Sequence, residues 1–139
     1  MKRILSCILC LAMALALAAC APAPKATEPP AFQPVTDGQS VGSGAVSFPL
    51  EIIDKDGNSV KITVSTDKET VGEALLELGL VEGDSGEYGL YIKSVNGIVA
   101  DYDVDATYWA FYINGEYAMT GVEMTPIAEG DSYLLKVEK

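Results

Sequence analysis

The chain has 139 residues, with 20 acidic against 9 basic side chains, no histidine and a formal charge of −11. That balance repels nucleic-acid phosphates and anionic lipid headgroups, so neither is expected as a partner. The lack of histidine removes Ser-His and Cys-His nucleophile pairs, His-ligated zinc or haem, and the commonest general base, so no enzymatic activity and no cofactor is expected.

Lys2 and Arg3 precede an apolar run from Ile4 to Ala19 that closes on Leu17-Ala18-Ala19-Cys20. A basic start, an apolar stretch and small residues before a cleavage point describe a secretory signal over residues 1–19. The run is also shorter than the roughly 20 apolar residues that a spanning helix needs. The Leu-Ala-Ala-Cys ending resembles the lipobox of bacterial lipoproteins. The resemblance implies cleavage before Cys20, acylation of its thiol, and anchorage by lipid on the extracytoplasmic face of a bacterial cell membrane. Cys7 and Cys10 lie within the signal, so no cysteine is left to form a disulfide in the remainder. Residues 20–45 then read as a tether. Pro22, Pro24, Pro29, Pro30 and Pro34 give way to Gly38, Gly42 and Gly44, a composition that favours extended and then flexible chain.

A folded domain is expected over residues 46–139. Phe48, Leu50 and Ile52 alternate along one strand and Val60, Ile62 and Val64 along the next, with a turn cluster around Asp56-Gly57 between them. Thr70 and Glu73 have the spacing of a capping box. Val71, Ala74, Leu75 and Leu78 follow helical spacing, and Gly79 is placed to end a helix of about ten residues. Gly83, Gly86 and Gly89 punctuate a loop. A strand over 90–95 is broken by Asn96-Gly97, and a strand over 108–113 turns at Asn114-Gly115 into residues 116–119. Pro126 interrupts the next segment, Gly130-Asp131 makes a turn, and residues 132–138 form a last strand. The order β-β-α-β-β-β-β predicts an α+β fold of β-grasp type, a sheet of hairpins with one short helix on a face.

The run Tyr108-Trp109-Ala110-Phe111-Tyr112-Ile113-Asn114-Gly115-Glu116-Tyr117, followed by Gly121-Val122 and Gly130-Asp131, resembles the bacterial domain of unknown function 4430. This family is also described as the transcobalamin C-terminal-like domain. The resemblance covers roughly residues 62–139. It implies a binding module for a corrinoid (cobalamin-like) or similar flat ligand, serving a transporter or completed by a partner domain. In vitamin B12 carriers the similar domain covers only one face of the corrin, and a larger helical domain holds the other. The alternative is a surface protein-protein interaction or adhesion module with no small-molecule ligand.

Strand alternation assigns the side chains. Trp109, Phe111 and Ile113 fall on one face and are expected in the core with Leu75 and Leu78. Tyr108 and Tyr112 fall on the other. Together with Tyr88, Tyr91 and Tyr117 they are the candidate ligand-binding residues, since a tyrosine offers flat apolar area with a polar tip. Tyr102 and Tyr133 extend the same surface, although cross-strand pairing also places tyrosines in sheets. Asp101, Asp103 and Asp105 have a calcium-loop spacing without the glycine and distal glutamate of an EF-hand, so they read as a solvated loop and no metal site is expected. Glu82, Asp84 and Glu87 lack the cleft that paired-carboxylate chemistry requires.

Overall fold

A computed structural model describes residues 32–139. The signal, Cys20 and the first part of the expected tether lie outside the described residues. The elements are β1 (Ser40–Gly42), β2 (Val46–Ile53), β3 (Ser59–Thr66), α1 (Val71–Glu77), β4 (Val81–Gly86), β5 (Gly89–Val95), β6 (Ile98–Val99), α2 (Tyr102–Asp105), β7 (Tyr108–Ile113), β8 (Glu116–Tyr117), a 3-10 turn (Val122–Met124) and β9 (Tyr133–Glu138). The main sheet runs β1-β3-β2-β9-β7-β8, and a smaller sheet runs β4-β5-β6. The fold is α+β. At its centre β2 and β9 pair in parallel, from Leu50 against Tyr133 to Ile53 against Lys136. This pairing gives the sheet its β-grasp character.

Local chemistry explains most element ends. Asp54 accepts hydrogen bonds from the Asp56 and Asn58 backbone N–H groups at 2.8 and 2.9 Å, which closes the β2–β3 turn over Gly57 at φ 85°. These bonds hold the Asp54 carboxyl below its ordinary range, the side-chain bond from Asn58 contributing most. Thr70 and Glu73 form the capping box of α1. Gly79, at φ 65°, and Leu80 donate back to Leu76 and Leu75 at 3.0 and 2.9 Å, a Schellman ending. Asn96-Gly97 and Asn114-Gly115 all have positive φ. Both pairs therefore make the primed two-residue turns whose twist suits a hairpin.

Alternation then builds the core. Phe48, Leu50, Ile52, Ile62, Val64, Tyr133, Leu135, Val137, Trp109 and Phe111 project from one face of the main sheet and are buried. Val71, Ala74 and Leu75 of α1, Val81, Ile92 and Val95 of the small sheet, and Val122 of the 3-10 turn complete the same cluster. A second layer of α1, small sheet and 3-10 turn thus covers one face of the main sheet. Among the described residues no element covers the opposite face.

Three expectations change. Residues 83–89 are not a loop: Val81–Gly86 is β4, paired antiparallel to β5 with a bulge at Glu82/Gly83. Everything in β4 after Val81 is exposed and two of its residues are glycine, so it carries no apolar alternation that would have revealed a strand. The domain also begins before residue 46. Val35 is 7% exposed, and its N–H and C=O are both bonded to the Asn96 side chain, at 2.8 and 3.1 Å. Residues 40–42 pair in parallel with β3. Finally Tyr133, assigned to a binding surface, is 2% exposed in the core. Its ring stands perpendicular to that of Phe48 with centroids 5.2 Å apart and is stacked on Phe111 at 6.0 Å.

Candidate functional site

Tyr108, Tyr112 and Tyr117 meet on the open face. Register explains it: Tyr112 stands opposite Tyr117 of β8 and Leu134 of β9, while Tyr108 stands opposite Glu138. The Tyr112 and Tyr117 rings pack edge to face, 5.5 Å apart at 87°. The Tyr112 hydroxyl donates to Glu138 Oε1 at 2.6 Å, and Lys136 Nζ lies 3.4 Å from the same oxygen. Ala110, between the two tyrosines, is 1% exposed, because a small side chain opposite Lys136 is overshadowed by its neighbours.

This network shifts three ionisations. The bond to Glu138 pushes the Tyr112 phenol up to about 12, with desolvation adding to it. The same bond holds the Glu138 carboxyl below its ordinary range, and Lys136 adds to the effect. Desolvation pushes the Tyr108 phenol up, with the neighbouring Tyr117 and Glu138 contributing.

The signs give a pH prediction. A phenol whose folded pKa is raised stabilises the fold below about pH 10, and that contribution is lost as the pH climbs toward 12. A depressed carboxyl stabilises above about pH 4.5 and loses its contribution as the pH falls further. In an ultraviolet alkaline titration, one phenol should ionise near pH 12 and unfolding should become easier between pH 10 and 12. Tyr112→Phe should abolish that late step. Persistence of the late step in the variant would assign it to another tyrosine.

Beside Leu134 the open face dips into an open groove of about 340 Å³, bordered by Pro49, Glu51, Lys61, Gly115, Ser132 and Leu134. Lys61 Nζ approaches Glu51 Oε1 at 3.9 Å on its wall. The arrangement offers aromatic area, one apolar shelf and paired charges. It holds no nucleophile-base pair.

The structure separates the five candidate tyrosines. Tyr88, 90% exposed at the β4–β5 turn, and Tyr91, 44% exposed on β5, belong to the second layer and not to the open face. The sequence reading also missed Leu134, Lys136, Glu138 and the groove residues. Their signal lay in the alternation of β9, whose even positions share the face of Tyr108 and Tyr112 once the two strands are paired. Of the expected core residues, Leu75 is fully buried, and Trp109 and Phe111 are 7% exposed. Leu78 and Ile113 pack on the core rim, partly exposed.

Residues 68–139 match the family described as Domain of unknown function (DUF4430). No curated protein matches the chain. Among solved structures, a "putative metal binding protein" from Ruminococcus gnavus ATCC 29149 is 32% identical with a TM-score of 0.63, over 67% of this chain and 96% of that one. Haptocorrin in complex with Cbi is 17% identical with a TM-score of 0.48, over 68% of this chain and 25% of haptocorrin. The chain therefore spans about a quarter of the length of haptocorrin.

Proposed function

The chain belongs to the family of domains of unknown function 4430, and on that premise we propose that it is a non-catalytic binding module. Its binding surface is the open face of the main sheet, and its ligand is a corrinoid or a similarly flat molecule. The observation that carries this reading is the convergence of Tyr108, Tyr112 and Tyr117 beside a groove on a sheet face that no other described element covers. The motif resemblance to transcobalamin-like domains supports the ligand class. One face of contact encloses about half of a flat ligand, whereas small-molecule pockets bury about 70–90% of theirs. The expected affinity is therefore modest until a second protein closes over the ligand. Among the described residues no three His, Cys, Asp or Glu side chains are grouped so as to hold a metal ion.

The same proposal places the module on the outer face of a bacterial membrane, held by lipid on Cys20. Cys20→Ala should shift the protein out of the membrane fraction or leave its precursor uncleaved. An unchanged membrane fraction would refute the anchor.

The binding test is calorimetric titration of the full chain with cyanocobalamin and with cobinamide. Saturable binding in the micromolar range, weakened about tenfold or more by Tyr112→Ala, supports the reading. No heat at high micromolar ligand removes the corrinoid and leaves a protein partner for this face. Binding that is indifferent to Tyr112→Ala moves the site elsewhere.

A further inference from the structure

A single row of side chains crosses the open face from β3 to β8. Pairing sets Lys61 opposite Glu51, Glu51 opposite Leu134, Leu134 opposite Tyr112 and Tyr112 opposite Tyr117. Directly paired residues share a face, so all five side chains stand on the open side. Four inter-strand spacings of about 4.8 Å make the row about 19 Å wide. Its middle is the apolar side chain of Leu134, and polar groups stand on either side.

Hydrogen bonds fix what those groups still offer. Tyr112 donates its O–H hydrogen to Glu138 Oε1 at 2.6 Å, so toward a ligand its oxygen accepts. Lys136 Nζ lies 3.4 Å from that same Glu138 oxygen. Across Leu134, Glu51 Oε1 accepts from the Ser59 hydroxyl and faces Lys61 Nζ at 3.9 Å. Among the described residues, Oε2 of Glu138 and Oε2 of Glu51 have no hydrogen-bond partner. The two side chains are 27% and 32% exposed, within reach of a molecule laid on the face.

Charge then decides what kind of donor suits these acceptors. Each carboxylate already has an ammonium beside it, so a ligand cation meets a lysine and a ligand anion meets a glutamate. A neutral N–H group meets neither repulsion and gains a charge-assisted bond to Oε2. On the reading of the open face as the site for a flat ligand, we propose that this ligand carries carboxamide groups at its rim and that Glu138 and Glu51 select them. Glu138, with the Tyr112 oxygen, takes the N–H donors on one side of Leu134, and Glu51 takes those on the other. A ligand with carboxylates in the same places is rejected.

The test is calorimetric titration of the full chain with dicyanocobinamide, whose rim carries carboxamides, and with dicyanocobyrinic acid, whose rim carries carboxylates on the same macrocycle. Both are measured at physiological salt and at about 0.5 M salt, where the screening length is roughly halved and diffuse repulsion by the acidic protein fades. The expected result is micromolar binding of the amide form, with the acid form weaker by about tenfold or more at both salt concentrations. Glu138→Gln and Glu51→Gln should each shrink that preference several-fold, because glutamine keeps the size and loses the charge. Asp103→Asn makes the same charge change on α2 and should leave the preference unaltered. None of these three carboxylates is buried, so the circular dichroism of the variants should match the parent. Equal binding of the two forms at high salt, or a preference lost equally in Asp103→Asn, would overturn the selection by Glu138 and Glu51 and leave the face as a corrinoid site. No binding of either form would remove the corrinoid itself, and the rim selection with it.

Discussion

Tyr133→Ala should lower the stability of the domain by about 3–5 kcal/mol, the range for deleting a large buried aromatic side chain. Tyr133 is 2% exposed and central to the core, between the perpendicular ring of Phe48 and the stacked ring of Phe111. It also opens the parallel pairing of β9 with β2, opposite Leu50. Truncation would leave a void bounded by three strands whose backbones are locked in one sheet, so little collapse can fill it. Tyr133→Phe isolates the hydroxyl, which accepts from the Ala128 N–H at 3.2 Å. That variant should lose only about 1 kcal/mol. Urea unfolding of the full chain, comparing midpoints at constant slope, separates the two. A Tyr133→Ala protein as stable as the parent but impaired in ligand binding would return Tyr133 to the binding surface it was expected to extend.

Gly72→Ala should destabilise the domain by about 1–3 kcal/mol, the usual range for overpacking a close-packed site. In an open helix the same change gains about 1 kcal/mol, because alanine is the better helix former. The sign reverses here through contact with the 3-10 turn. A methyl at Gly72 would stand 2.7 Å from both Cα and N of Glu123 and 2.9 Å from the Val122 carbonyl carbon. These are backbone atoms, so no rotamer change relieves the clash, and α1 must lift from the turn. Val71, Ala74 and Leu75, all fully buried, would lift with it. Thermal unfolding reads the outcome directly. A raised midpoint would mean that α1 and the 3-10 turn part easily, and that the close approach contributes nothing to the fold.

Much of this protein is determined by short-range chemistry, and that part is legible in its sequence. Asp56-Gly57, the Thr70-Glu73 box, Gly79 and the two Asn-Gly pairs each act within a few residues, and the structure has a turn or helix end at every one. The alternation of β7 likewise separates Trp109 and Phe111 from Tyr108 and Tyr112, because a strand has only two faces. What required tertiary structure is everything set by partners distant in the chain. β1 exists because Ser40–Gly42 finds the edge of β3, and β4 because an exposed, glycine-rich segment finds β5. Neither has enough apolar pattern to declare itself alone. Tyr133 has the same side chain as Tyr112, yet one is core and the other lies on the open face. The β7–β9 pairing decides this by setting Tyr133 opposite Ile113 and Tyr112 opposite Leu134. The β7–β8 pairing brings Tyr117 to Tyr108 and Tyr112, three of the five candidate tyrosines, and leaves Tyr88 and Tyr91 on the second layer. A sequence specifies which face of its own strand a residue takes, but only the packing of layers decides which face is covered.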